Sequence, residues 1–197
     1  MRTTKATTKT DILETAIPLF AHAGFNGISM RTIAKTVGVT APTLYHHFSD
    51  KQALYIAAMA HAFARKADIM STSLSTDERP EQRLKAFVHT FCKLIHDDPD
   101  FHKLVQRELL DDDTCRLRLL AQQVFLDIFA SLTSLSKELD PSFDPHLLAG
   151  SIIGLVSYHY QSIPLRQYQS GSKEYHNDPE VVAEHVTHLL LHEVNSG

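Results

Sequence analysis

Cysteine is scarce in this chain of 197 residues, which contains only Cys92 and Cys115. Two cysteines exclude a disulfide-rich scaffold, and without a C-x-x-C pair there is no zinc-binding signature. Seven glycines and eight prolines exclude collagen-like and low-complexity chains. Apolar runs are too short to cross a bilayer, and the first residues lack the apolar core of a signal peptide. We therefore expect a globular cytoplasmic protein that does not enter a membrane.

Signals for β-strands are missing as well, because no stretch alternates polar and apolar residues and no hairpin turn joins two such stretches. Helix starts recur instead: Asp98-Pro99, Asp144-Pro145 and Asp178-Pro179 each place a capping carboxylate before a proline at the first helical position. An all-α fold follows. We predict nine helices, at about 8–23, 29–37, 40–47, 50–71, 80–96, 99–110, 114–137, 145–168 and 179–194. Pro18 predicts a kink in the first, and Pro164 predicts that the eighth bends or ends near Ile163.

The charge of the chain is unevenly distributed. Residues 1–65 contain seven Lys or Arg and three Asp or Glu, so this part carries a net charge of +4, and the remainder carries −8. A basic N-terminal part on an acidic body is typical of a module that binds a polyanion, although chance clustering of solvated charges would give the same pattern.

The segment from Ile28 to Leu54 contains closely spaced helix caps. Ser29 and Thr40 stand at the N-caps of the second and third helices, and Ser49 is placed to cap the fourth in a capping box with Gln52. Gly38 stands where a helix end requires a left-handed residue. Two short helices joined by a tight turn with glycine predict a helix-turn-helix, whose second helix reads base edges in the major groove.

The run GFNGISMRTIAKTVGVTAPTLYHHFSDKQAL closely resembles the DNA-binding region of TetR-type transcriptional regulators, and the resemblance covers about residues 8–58. It implies an all-helical homodimeric repressor, with a three-helix helix-turn-helix head at 1–50 and an effector-binding and dimerisation body at 51–197. The implied partners are double-stranded operator DNA, a second copy of the chain and an unidentified small-molecule effector. The DNA-binding positions carried over from the family are Arg31, Thr32, Thr40, Ala41, Pro42, Thr43, Tyr45, His46, His47 and Lys51.

The last two predicted helices are candidates for the dimer interface. The eighth, from Leu147 to Ile163, is apolar almost all round, which is typical of a helix buried on more than one side. Gly150 and Gly154 would allow another helix to approach closely. In the family these helices form a four-helix bundle between two copies, so we expect dimerisation through residues 145–194. A purely intramolecular core is the alternative.

Other functions have weaker support in the sequence. His185, His188 and His192 lie on one helical face, but no acidic or cysteine cluster completes a ligand set, so we predict no metal site. His96-Asp97 loosely resembles part of a helical HD-type phosphohydrolase site. No nucleophile elbow, phosphate loop or dinucleotide fingerprint is present, and we predict neither an enzyme nor a cofactor. A ligand-binding helical module without DNA activity is the remaining alternative.

Overall fold

A computed structural model describes residues 7–194, with the backbone alone at positions 65 and 192–194. No strand occurs within the residues that it describes, and the prediction of an all-α fold is confirmed. The helices are α1 Lys9–Ala23, α2 Met30–Val37, α3 Ala41–His47, α4 Lys51–Leu74, α5 Pro80–Asp97, α6 Pro99–Asp111, α7 Thr114–Gln123, α8 Leu126–Leu139, α9 Pro145–Gln161, α10 Ile163–Arg166 and α11 Pro179–Val194, and a 3₁₀ turn spans Glu174–Asn177.

The chain forms two compact units. The first contains the residues up to 65 together with 100–125, and the second contains 66–99 and the residues from 126 onward. These boundaries differ from the predicted division at residue 50, because α6 and α7 pack with the N-terminal helices and much of α4 belongs to the first unit. The functional division into a DNA-binding head and an effector-binding body stays a prediction.

The first unit is built on well-capped helices. Thr8 and Asp11 form a capping box at the start of α1, and the Ser29 and Thr40 hydroxyls accept from the backbone N–H groups of Thr32 and Thr43. Both of the latter caps agree with the sequence prediction. The fourth helix differs: it begins at Lys51, and the Asp50 carboxylate accepts from the N–H of Ala53 at 2.7 Å. Asp50 is therefore the cap of α4 rather than Ser49.

Two predicted long helices are interrupted. The helix predicted at 114–137 is divided into α7 and α8, since the Val124 and Phe125 N–H groups both turn back to the Leu120 carbonyl. The apolar stripe alone could not reveal this break, because Leu120, Val124, Ile128 and Leu132 are buried on both sides of it. The helix predicted at 145–168 ends at Gln161, and Pro164 lies in the first turn of α10. The expectation that Pro164 would end the helix is confirmed. Helix α1 continues through Pro18.

Helices α5, α8, α9 and α11 form the packed centre of the second unit. Helix α5 packs against α8, α9 and α11, and α9 also packs against α8 and α11. Its core includes Leu84 and Phe87 of α5, Leu132 of α8, Ile152 of α9 and Val186 of α11. Within residues 7–194 no single helix is long and apolar enough to span a membrane; α7 and α8 reach that threshold only as a joined pair.

Candidate DNA interface

The turn between α2 and α3 is a left-handed turn at Gly38. Gly38 has φ of 84° and ψ of 26°, and the Val39 N–H returns to the Ala34 carbonyl at 2.9 Å. Together with the Gly38 N–H, this arrangement satisfies the Ala34 and Lys35 carbonyls near the end of α2, and glycine adopts such a φ without steric cost. Thr40 then caps α3 two residues later, so the two helices are joined by a short turn.

Helix α3 has one buried side and one open side. Leu44 is completely buried, whereas Tyr45 is 51% exposed. Packing through Leu44 holds a helix of seven residues that would not be stable alone. The open side carries most of the predicted DNA-binding residues of this element: Thr40, Pro42, Thr43, Tyr45 and His46 are exposed, and Ala41 and His47 are half-buried.

Hydroxyl groups at the starts of α2 and α3 are held in matching geometry. The Ser29 and Thr32 hydroxyl oxygens lie 2.8 Å apart, and so do those of Thr40 and Thr43. Each pair joins an N-cap side chain to the residue three positions later. The Thr32 and Thr43 side chains are therefore preoriented, and each hydroxyl retains hydrogen-bonding capacity for phosphate oxygens or base edges.

The charge of this surface favours a polyanion. The chain contains no Asp or Glu between Glu14 and Asp50, whereas Arg31 and Lys35 lie in that interval. Arg31 is exposed in the first turn of α2, next to Thr32. The Lys9 ammonium lies 5.3 Å from the centre of the Phe48 ring. A row of neutral donors with flanking cations suits the DNA backbone, because carboxylates would repel it.

Lys51 has a more constrained environment than a solvated lysine. It is the first residue of α4, and its ammonium nitrogen lies 4.5 Å from the centre of the Phe25 ring. Burial, followed by the positive charge of Arg116, lowers the pKa of Lys51 from its ordinary value. The resemblance to the family placed Lys51 among the DNA-binding positions, but the sequence did not predict its contact with the Phe25 ring.

Sequence reasoning also missed a cluster of charges that α6 and α7 contribute to the first unit. The Arg116 side chain is buried against Glu108, with Nε 2.9 Å from Oε1 and 3.2 Å from Oε2. Its other nitrogens donate to Asp113 at 3.1 Å and Asp111 at 3.4 Å. Tyr55 completes the cluster through a hydrogen bond to Glu108, and burial together with the Glu108 charge raises the pKa of Tyr55.

Arg107 makes a second connection from α6 to the N-terminal helices. It donates from Nε to the Ala21 carbonyl at 2.7 Å and from Nη2 to the His22 carbonyl at 2.9 Å. A cation at the C-terminal end of α1 satisfies carbonyls that have no partner within the helix. In the sequence, the only signal for these two clusters is that Arg107 and Arg116 flank the acidic run at 111–113.

The residues of the weaker hypotheses, where the structure describes them, make other contacts. Among the described residues, no group of three His, Cys, Asp or Glu side chains could hold a metal ion. The His185 ring lies 5.6 Å from that of His159, and the His192 side chain is outside the described residues. Asp97 of the His96-Asp97 pair forms an ion pair with Lys93 at 3.1 Å. Cys92 is buried and Cys115 is exposed.

The geometry at residues 29–51 defines a helix-turn-helix protein. Residues 12–58 match the family model described as bacterial regulatory proteins, tetR family. The resemblance to TetR-family regulators noted in the sequence is confirmed over this segment.

Curated relatives support the assignment. The HTH-type transcriptional activator FasR of Mycolicibacterium smegmatis is 32% identical over 94 residues, which are 48% of this chain and 43% of that protein. The HTH-type transcriptional repressor AcnR of Corynebacterium diphtheriae is 29% identical over 119 residues, which are 55% of this chain and 62% of that protein. The matched region thus covers about half the length of these relatives.

Solved structures support the fold over most of the chain. AibR in complex with isovaleryl coenzyme A and operator DNA has a TM-score of 0.72 at 23% identity, covering 92% of this chain and 97% of that one. The regulator FadR of Bacillus subtilis in complex with stearoyl-CoA has a TM-score of 0.78 at 17% identity, covering 93% of this chain and 98% of that one. Likeness at this level of identity establishes the fold.

Proposed function

We propose that this protein is a ligand-responsive transcriptional repressor that binds a specific operator sequence in double-stranded DNA. The observation that carries the proposal is α3 itself, a short helix anchored through Leu44 that exposes Thr40, Thr43 and Tyr45 beside a turn without carboxylates. A bacterial regulator of this kind acts in the cytoplasm, where the chromosome is.

The proposed contacts divide into two classes. The first class, from α3 and its N-cap, contacts the bases and the adjoining backbone. Its members are Thr40, Ala41, Pro42, Thr43, Tyr45, His46 and His47. Arg31 and Thr32 at the start of α2 and Lys51 at the start of α4 bind phosphates, since helix N-termini combine free backbone donors with a favourable dipole.

The test begins with selection of preferred sequences from a random DNA pool by the purified full chain. Thr43→Ala and Tyr45→Ala are expected to cost about 1–3 kcal/mol on the selected site and to relax its sequence preference. Lys51→Ala is expected to weaken binding to selected and scrambled DNA alike and to lower the salt slope by about 1 per half-site. A protein without sequence preference, or a preference that changes only with Lys51, contradicts the proposal.

We propose homodimerisation through residues 145–194 as part of this function. Leu147 and Tyr158 on α9 are 70% and 66% exposed, and Gly150 and Gly154 are exposed with them at helical spacing. Val181 and Leu189 on α11 are also exposed. Exposed apolar side chains on two helices that pack together are typical of a surface that a second copy covers.

For the effector, we propose an acyl-coenzyme A thioester. The support is that AibR and FadR, which share this fold, were solved with isovaleryl coenzyme A and stearoyl-CoA.

Short-chain and long-chain acyl-coenzyme A can be titrated into the protein–operator complex, with free coenzyme A as the control. Release of DNA and a raised melting temperature with one thioester, but not with free coenzyme A, are expected. Equal behaviour of all these compounds would contradict this effector class while leaving the DNA-binding proposal intact.

A further inference from the structure

Two cationic side chains contact the aromatic ring of Phe25. The Lys51 ammonium lies 4.5 Å and the Arg116 guanidinium carbon 4.1 Å from the centre of the ring. Both distances are within the range in which a cation is attracted to the π-system. The ring follows α1, Lys51 begins α4, and Arg116 is on α7, so three separated parts of the first unit meet here.

Arg116 is fixed in this position more firmly than an ordinary surface arginine. Its side chain is 4% exposed and that of Glu108 is 2% exposed, and the two share a forked contact. Asp113 both caps α7 and accepts from the Arg116 guanidinium. Because the guanidinium is planar and is held by carboxylates on α6 and the α6–α7 turn, the face that it presents to Phe25 is fixed too.

Lys51 responds to this arrangement. Its long side chain would otherwise sample many rotamers, and the ring limits them. Arg116 repels the ammonium, and this charge, with burial, lowers the pKa of Lys51. The Lys51 side chain is thereby held against the Phe25 ring, while its charged form is disfavoured by the neighbouring Arg116. A phosphate oxygen close to both cations would offset this repulsion.

We propose that Phe25 and Arg116 are positioning residues for DNA binding, which hold the Lys51 ammonium where the phosphate backbone meets the start of α4. The proposal rests on the proposed function. It also assigns part of the DNA-binding machinery to residues 108–116, which lie far beyond the matched segment 12–58. Neither Phe25 nor Arg116 needs to touch DNA for this role.

The test is a double-mutant cycle on the operator selected by the full-length wild-type protein. Phe25→Leu keeps an apolar side chain but removes the ring, and we expect it to weaken binding about 5- to 10-fold and to lower the salt slope as Lys51→Ala does. In the Lys51→Ala background, Phe25→Leu is expected to have no further effect, because its role acts through that lysine. Phe25→Tyr retains the ring and is expected to bind within about 2-fold of wild type.

Arg107→Gln is the matched control, since Arg107 also joins α6 to the N-terminal helices but at the Ala21 and His22 carbonyls rather than at Phe25. Any loss of operator affinity that Arg107→Gln causes is expected to multiply with the loss caused by Lys51→Ala. Arg116→Lys gives a second route if Phe25→Leu does not fold, because it keeps the charge and loses the planar fork. Thermal unfolding of every variant separates loss of fold from loss of binding.

Independent, multiplying effects of Phe25→Leu and Lys51→Ala would overturn the proposal, and so would an unchanged salt slope in Phe25→Leu. Effects of Arg116→Lys and Lys51→Ala that multiply independently, or an unchanged salt slope in Arg116→Lys, would overturn it as well. Failure of the wild-type protein to prefer any DNA sequence is a different result, because it contradicts the proposed function itself.

Discussion

Gly38 determines at the level of a single residue how α2 and α3 are joined. Its φ of 84° lies in the left-handed region, and no heavy atom outside its neighbours would meet an added Cβ within 4 Å. The constraint is therefore conformational rather than steric crowding by other parts of the chain. Only a residue that tolerates this φ can end α2 and begin the turn.

We predict that Gly38→Ala lowers the free energy of unfolding by about 1–2 kcal/mol, because a Cβ is disfavoured at this φ. Gly38→Asn is the matched variant, since asparagine tolerates the left-handed region better. Chemical denaturation measures both. A loss for asparagine equal to or larger than that for alanine would contradict the conformational explanation.

His102 is a second residue whose environment has a measurable consequence. It lies on α6 with its Nε2 3.0 Å from the Gln106 side-chain nitrogen, and burial lowers its pKa from the ordinary value of 6.5. Between the lowered folded pKa and 6.5, His102 therefore binds a proton in the unfolded chain but not in the folded protein. Stability from this group is present above pH 6.5 and is lost as the pH falls toward the lowered folded pKa.

We predict that the free energy of unfolding decreases between about pH 7.5 and pH 5.5, and that His102→Gln makes this decrease smaller. The surface variant His96→Gln provides the control and is expected to follow wild type. Denaturant unfolding across this pH range is the measurement. A slope that His102→Gln leaves unaltered would show that burial of this imidazole does not contribute.

At the level of elements, α3 depends on its neighbours. Its seven residues are too few for a stable isolated helix, and Leu44 is its one fully buried side chain. Helix α2, with Ile33 and Ala34 buried, supplies a packing partner. The element that would read DNA is therefore held in place by apolar contact and by the Thr40 cap.

Leu44→Ala is predicted to lower the free energy of unfolding by about 2–4 kcal/mol, because it leaves a cavity under a helix with little stability of its own. Tyr45→Ala is the neighbouring control on the exposed side and is expected to change stability by less than about 0.5 kcal/mol. Equal stability losses in thermal or chemical unfolding would mean that α3 is not anchored through Leu44.

At the level of the whole molecule, association of two copies is the main expectation. Helix α9 buries Ala149, Ile152, Val156 and Tyr160 within the second unit, while Leu147, Gly154 and Tyr158 remain exposed. An added Cβ at Gly154 would meet no heavy atom within 4 Å. A Cβ is thus accommodated by the protomer at this exposed position, and we expect a larger side chain there to act on association rather than on the fold.

Gly154→Leu is predicted to weaken dimerisation at least 10-fold by overfilling a close helix contact, while the protomer keeps its helix content. Ser134→Leu places the same side chain at an exposed position of α8, outside the proposed interface at residues 145–194, and is expected to leave association unchanged. Sedimentation equilibrium at micromolar concentration measures both. A monomeric wild-type protein, or a Gly154→Leu variant that associates normally, would contradict the proposed interface.

The sequence by itself determined the all-α class, the caps at Ser29 and Thr40 and the left-handed Gly38, because these depend on residues three or four positions apart. It also identified the exposed positions of α3, since Leu44 marks the opposite side at helical spacing. Pro164 ended α9 through its own covalent geometry. These features depend on interactions within one or two helical turns, so the residues that form them are close together in the sequence.

Only the tertiary structure decided the rest. The break between α7 and α8 occurs inside a continuous apolar stripe, so periodicity could not locate it. The contact of Phe25 with both Lys51 and Arg116 joins residues up to 91 positions apart. The burial of Glu108 and Arg116 depends on the packing of α6 and α7 within the first unit. Charged residues are ordinarily exposed, and a buried pair becomes acceptable only when the fold provides both partners.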